Sequence, residues 1–138
     1  MSDEEFLRRF EDHSLPLEQW HHRAHLKVAY LYLLRQPFDE ALLKIRAGIR
    51  AYNAAHGIVD TPTGGYHETM TGAWLRLVDV TLRQFGAAES ADAFLDAQTQ
   101  LNGKRVLLLF YSRERIMSAE AKCVFVEPDL APLPLAAD

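Results

Sequence analysis

A chain of 138 residues with 49% hydrophobic and 25% charged side chains has the composition of an ordinary globular domain, which argues against a disordered polymer or a fibrous repeat. Its net charge of -4 and pI near 5.8, with basic residues scattered in pairs such as Arg8-Arg9 and Lys104-Arg105, leave no electrostatic footprint for nucleic acid. Cys123 is the single cysteine, so an internal disulfide and a multi-thiolate metal site are both excluded, and a metal would be held by nitrogen and oxygen.

The opening Met1-Ser2-Asp3-Glu4-Glu5 is acidic and precedes no long apolar run, and Val106 to Tyr111 is far shorter than the roughly 20 residues of a membrane helix. The expectation is a cytoplasmic chain without membrane contact, forming one helical domain over residues 1–138. No internal repeat or linker divides it.

Ser2 or Asp3 caps a first helix that places Phe6 and Phe10 on one face and ends near His13. Ser14 and Pro16 then introduce a second helix from about Leu17 to Arg35, stopped by Pro37. Asp39 caps a third, running to about Ala55 with Leu42, Ile45, Ile49 and Tyr52 on one side, before the glycine of His56-Gly57. Residues 58–66 form the longest stretch of turn chemistry, and a fourth helix follows from His67 to Phe85, ended by Gly86.

Ser90 caps a fifth helix ending at Asn102-Gly103. The apolar run Val106 to Tyr111 reads as buried helix, because no second strand exists to pair with it. Ser118 to Lys122 has helix chemistry, Cys123 reads as a small buried residue, and the proline-containing tail from Glu127 to Asp138 is extended. The fold class is all-α: a compact bundle of six to seven helices around one core.

The dense histidines are in Trp20-His21-His22-Arg23-Ala24-His25 and in Gly64-Gly65-Tyr66-His67-Glu68-Thr69. At about 100° per residue the second helix turns His25 and Tyr32 inward with His21 nearby, His22 further round, and Gln19, Arg23, Lys27 and Leu34 outward. The fourth helix places His67 on the apolar stripe with Met70, Trp74, Val78 and Phe85, and Glu68, Gly72, Arg76, Asp79 and Arg83 on the polar side.

Imidazoles converging from two helices suit a divalent transition metal, zinc or iron. His21 or His22 with His25, plus His67, would supply three nitrogens and leave a position for water or substrate. Glu68 would then serve as a ligand or general base in a metal-dependent hydrolase or an oxygen-using enzyme acting on a small molecule. His-Glu-Thr lacks the second histidine of the metalloprotease helix motif, since position 71 is threonine.

Two other function classes fit the same residues. Thr61, Thr63, Gly64 and Gly65 with the first amides of the fourth helix form a cradle for an anionic metabolite, although the loop holds no basic residue. A homodimeric scaffold, with the histidines buried for structural reasons, would use the apolar segments near Val106 to Phe110 and Val124 to Leu135.

Overall fold

Ser2 opens the first helix as its chemistry predicts, its hydroxyl accepting the Glu5 N–H at 3.1 Å. The computed structural model describes residues 1–135, and in them the chain forms seven α-helices and no strand. They are α1 (Asp3–Glu11), α2 (His22–Arg35), α3 (Phe38–Ala55), α4 (Glu68–Phe85), α5 (Ala91–Ala97), α6 (Arg113–Ile116) and α7 (Ala119–Cys123). Three 3-10 turns, Leu17–Gln19, Thr99–Asn102 and Lys104–Leu109, join them. The all-α class follows.

Several boundaries move from the sequence expectation. The long second helix is interrupted: Leu17–Gln19 is a single 3-10 turn, Trp20 and His21 are non-helical, and α2 begins at His22. The break lets the Trp20 indole turn back onto Phe10, Tyr52 and His25, at centroid distances of 5.0, 4.9 and 3.9 Å. Pro37, not Asp39, precedes α3, so Asp39 and Glu40 lie within its first turn, where they favour the positive end of the helix dipole. The predicted fifth helix divides at Gln98, and the Val106 run is helical in 3-10 geometry.

The buried side chains form one cluster in which Phe10, Tyr30, Tyr52, Phe94, Leu26 and Leu75 are almost fully enclosed. α4 is its axis, in contact with α2, α3 and α7. Two-faced patterning therefore fails for α4. Glu68, Gly72 and Asp79 are buried although the helical wheel puts them on the polar side, and Phe85 on the apolar stripe is 60% exposed.

Over Gly72 the cover is the chain after α7. The Thr69 hydroxyl donates to the Val124 carbonyl at 2.9 Å and accepts the Val126 N–H at 3.1 Å, pinning an extended segment across α4. A Cβ at position 72 would lie 3.0 Å from the Phe125 ring, so glycine is what admits this close approach. The tail continues without helix or strand from Glu127 to Leu135. It is held by Asp129, which accepts from the Ser112 amide and hydroxyl at 2.8 and 2.7 Å, and by Arg115 Nε donating to the Glu127 carbonyl at 2.6 Å. Residues 136–138 of the expected extended tail lie outside the described residues.

Cys123 is exposed, correcting its assignment to the interior. Arg23 and Lys27, expected on the solvent side of α2, reach across to α5. Arg23 pairs with Asp92 at 3.1 Å and Asp96 at 2.9 Å, and Lys27 pairs with Asp92 at 3.3 Å. Among the described residues no helix is long and apolar enough to cross a membrane.

Candidate functional site

α2, α3, α4 and the loop between the last two border a half-open cavity of about 390 Å³. That is within the roughly 300–1,000 Å³ of small-molecule sites. Its walls are mainly apolar. Leu26 and Ala29 come from α2, Ile45 and Ile49 from α3, Met70 and Leu75 from α4, and the indoles of Trp20 and Trp74 face it as well. The chain's two tryptophans therefore both line this space.

Three of the predicted histidines, His22, His25 and His67, line the cavity, and His21 does not. His21 is exposed and sits at the N-cap of α2, where its backbone rather than its ring is used: its carbonyl accepts both the His25 backbone N–H at 3.1 Å and a ring nitrogen of His25. The break at Trp20 and His21 removes it from the helical face on which the spacing placed it.

Hydrogen bonds to carbonyls fix the tautomers, because a carbonyl oxygen can only accept. His25 Nδ1 lies 2.8 Å from the His21 carbonyl, so Nδ1 carries the proton and Nε2 is a lone pair without a partner among the described residues. His22 Nε2 lies 3.0 Å from the Leu101 carbonyl, which leaves Nδ1 as the lone pair. Burial keeps both rings neutral: it lowers the His25 pKa to about 4 and lowers that of His22, in each case against the raising effect of the carbonyl bond. His25 also stacks on Trp20, and His22 meets Trp74 edge-on at 4.5 Å.

His67 is occupied differently. Its Nε2–H donates to the Ile116 carbonyl at 2.8 Å, while Nδ1 accepts the Met70 N–H at 3.0 Å as the N-cap of α4. Both ring nitrogens are spoken for, so in this arrangement His67 has no lone pair to give a metal. Among the described residues no group of three or more His, Cys, Asp or Glu side chains is placed to hold an ion. The expected convergence of three imidazole ligands is corrected to two free nitrogens, on His22 and His25.

Glu68 is not among the cavity-lining residues. It is 8% exposed and accepts from Arg46 Nε at 2.9 Å, from the second Arg46 nitrogen Nη2, and from the Tyr66 hydroxyl at 2.6 Å. The Arg46 hydrogen bonds, followed by that of Tyr66, outweigh burial and hold its carboxyl below the usual range. A carboxylate so engaged is a poor proton acceptor, and its visible role is to tie the start of α4 to α3. Arg46 carried no signal in the sequence beyond being a charge on an amphipathic helix.

Asn53 is the polar residue that sequence reading missed. It lines the cavity from α3, is 9% exposed, and its side-chain amide has no hydrogen-bond partner among the described residues. The spacing of α3 places Leu42, Ile45, Ile49 and Tyr52 on one side, of which Leu42 is only partly buried, and position 53 adjoins that stripe. Lys104, contributed by a 3-10 turn, is the one formally charged side chain among the lining residues.

The loop over the cavity is built on itself. Asp60 Oδ1 accepts the Tyr66 N–H at 2.8 Å, Thr61 and Gly64 pair through their backbones, and Gly65 has φ of 86°. A Cβ at position 65 would be 2.2 Å from that Asp60 oxygen, so the double glycine serves the turn. A second space of about 120 Å³ lies beside Thr63, Gly64 and Gly65 and includes Lys122, the cation that the loop itself lacks. Its ammonium is already engaged by the Tyr66 carbonyl at 2.6 Å and by Asp60 at 3.6 Å.

Compared with known proteins, the chain matches no family model, no curated protein and no solved structure. The functional reading therefore rests on the geometry of the cavity.

Proposed function

We propose that this protein binds a small, largely apolar molecule in the cavity between α2, α3 and α4, and recognises it through a few fixed polar groups. The observation that carries this reading is the cavity itself: an apolar space of ligand size bordered by the Asn53 amide and by two imidazole lone pairs, none of which has a partner among the described residues. A ligand that covers the indoles and bonds these groups would bury apolar surface without stranding a polar group. The neutral state of His25 supports recognition by hydrogen bonding rather than by charge.

The test uses Trp20 and Trp74 as internal reporters. Titration with cyclohexanol, phenylacetamide and phenylacetate is expected to shift the tryptophan emission saturably and to raise the unfolding midpoint. Ala29→Phe, which fills the space from α2, is expected to abolish both responses while keeping the helical circular dichroism of the parent. If none of these probes alters the emission or the midpoint, the ligand-cavity reading fails.

A metal held by His22 and His25 is the second reading, favoured by two unpartnered imidazole lone pairs three residues apart on one helix. The protein then supplies two nitrogen ligands, and the remaining positions fall to water or to a bound molecule. Zinc or iron fits such donors. Protein purified without an affinity tag would carry stoichiometric metal on this reading, and His25→Ala would lose it. A metal-free preparation that also fails to take up zinc or iron removes it.

A further inference from the structure

The cavity's polar groups are distributed unevenly, and their distribution describes the molecule that would fit. The residues lining it include no aspartate or glutamate. Lys104 is its one formal charge, exposed at the rim, and it makes no ion pair or hydrogen bond with the described residues. The two acidic side chains nearest the cavity in sequence, Asp60 in the loop and Glu68 at the start of α4, are not among the lining residues and are already engaged, Asp60 by the Tyr66 N–H and Lys122, Glu68 by Arg46 and the Tyr66 hydroxyl. Overall the chain is acidic, so an unpaired lysine at the edge of an acid-free cavity is a local reversal of the protein's own charge.

The other groups ask for the opposite partner. His25 Nε2 and His22 Nδ1 are left as acceptors by the backbone carbonyls that hold the other ring nitrogen, so each is complemented by an O–H or N–H. The Asn53 amide offers both a donor and an acceptor. Between these groups the walls are indole and aliphatic, which suits a ring or branched hydrocarbon body.

From this arrangement we infer that the ligand class is a small organic acid: a carboxylate that meets Lys104 at the rim, an apolar or aromatic body against Trp20 and Trp74, and a hydroxyl or amine hydrogen donated to the imidazole acceptors. The inference rests on the cavity being a ligand site and adds the identity of the polar ends. An uncharged hydrocarbon would leave Lys104, Asn53 and both imidazoles unused. A cation would be repelled by Lys104 and would find no acidic side chain on the lining.

The experiment compares matched probes by tryptophan emission and calorimetry: phenylacetate against phenylacetamide, and the three hydroxyphenylacetate isomers against phenylacetate. Phenylacetate is expected to bind roughly tenfold tighter than phenylacetamide, with the advantage shrinking as salt is added. Lys104→Met should erase that advantage, bringing phenylacetate and phenylacetamide to equal affinity in the variant, and Lys104→Arg should keep it. At least one hydroxyl isomer is expected to gain roughly tenfold over phenylacetate, a gain lost in His25→Phe. Equal binding of acid and amide in the parent overturns the acid inference while leaving the ligand cavity intact, and failure of every hydroxyl isomer to improve on phenylacetate overturns the donor part. Absence of binding by acids and amides alike overturns the cavity reading itself.

Discussion

The imidazole of His25 stacks on the indole of Trp20 with ring centroids 3.9 Å apart and planes inclined by 29°. This contact depends on the helix break at Trp20, which allows a residue five positions earlier to lie over the first turns of α2. It places a neutral imidazole against an apolar surface, and Trp20 itself rests on Phe10 and Tyr52.

Burial of His25 makes stability depend on pH in a defined direction. Its pKa is about 4 when folded against 6.5 when exposed, so between those values the unfolded chain takes up a proton that the folded chain refuses. Stability is therefore full above about pH 6.5 and falls as pH drops towards 4, by on the order of 3 kcal/mol for this group. His25→Phe keeps an aromatic ring on Trp20 and removes the titration, so denaturant unfolding should show a shallower loss over the same range. An unchanged pH slope in the variant would mean that His25 is not held neutral.

His67 acts through the helix terminus. His67→Ala removes the cap on the Met70 N–H and the donor to the Ile116 carbonyl, and is expected to cost about 1–3 kcal/mol in chemical denaturation. His67→Asn can still cap α4 and should recover part of that loss. If His67→Ala instead left stability intact and removed a bound metal, the ligand role expected from the sequence would be restored and the capping role overturned.

Glu68 and Arg46 form a mostly buried pair at the start of α4. Glu68→Gln and Arg46→Met should each destabilise by roughly 1.5–3 kcal/mol, and the double variant by less than their sum, because each single change strands the other group. The Glu68 carboxyl is held below its usual range, so the stability it contributes is present above about 4.5 and disappears as pH falls through its lowered folded value. Thermal melts of the four proteins at neutral and acid pH provide the check. Strict additivity would show that the two side chains do not act as a unit.

Local chemistry made much of the fold readable. Ser2, Ser90 and Ser118 each accept a backbone N–H three residues on, as helix caps should, and His56-Gly57 and Gly86 follow the ends of α3 and α4. These signals act within one helical turn, and the sequence contains them whole. The same is true of the stripe of Leu42, Ile45, Ile49 and Tyr52, of which all but Leu42 are buried.

The site was legible only in part, for a physical reason visible in α4. Helical periodicity finds one inward face when a helix has one, but α4 is packed by α2, α3 and α7, and its Glu68 is covered by an arginine that lies 22 positions earlier in the chain. The spacing that brought His22, His25 and His67 towards one space could not show which ring nitrogens were free. That depended on carbonyls at His21, Leu101 and Ile116, the last two remote in sequence.

The sequence by itself therefore determined an all-α chain and most of its caps and stops, because these follow from forces acting over a few residues. Tertiary structure alone decided that both ring nitrogens of His67 are occupied and that Glu68 is bound to Arg46, because each outcome depends on which distant backbone or charge completes a polar group removed from water, and the packing of the helices decided that Asn53 and Lys104 border the cavity.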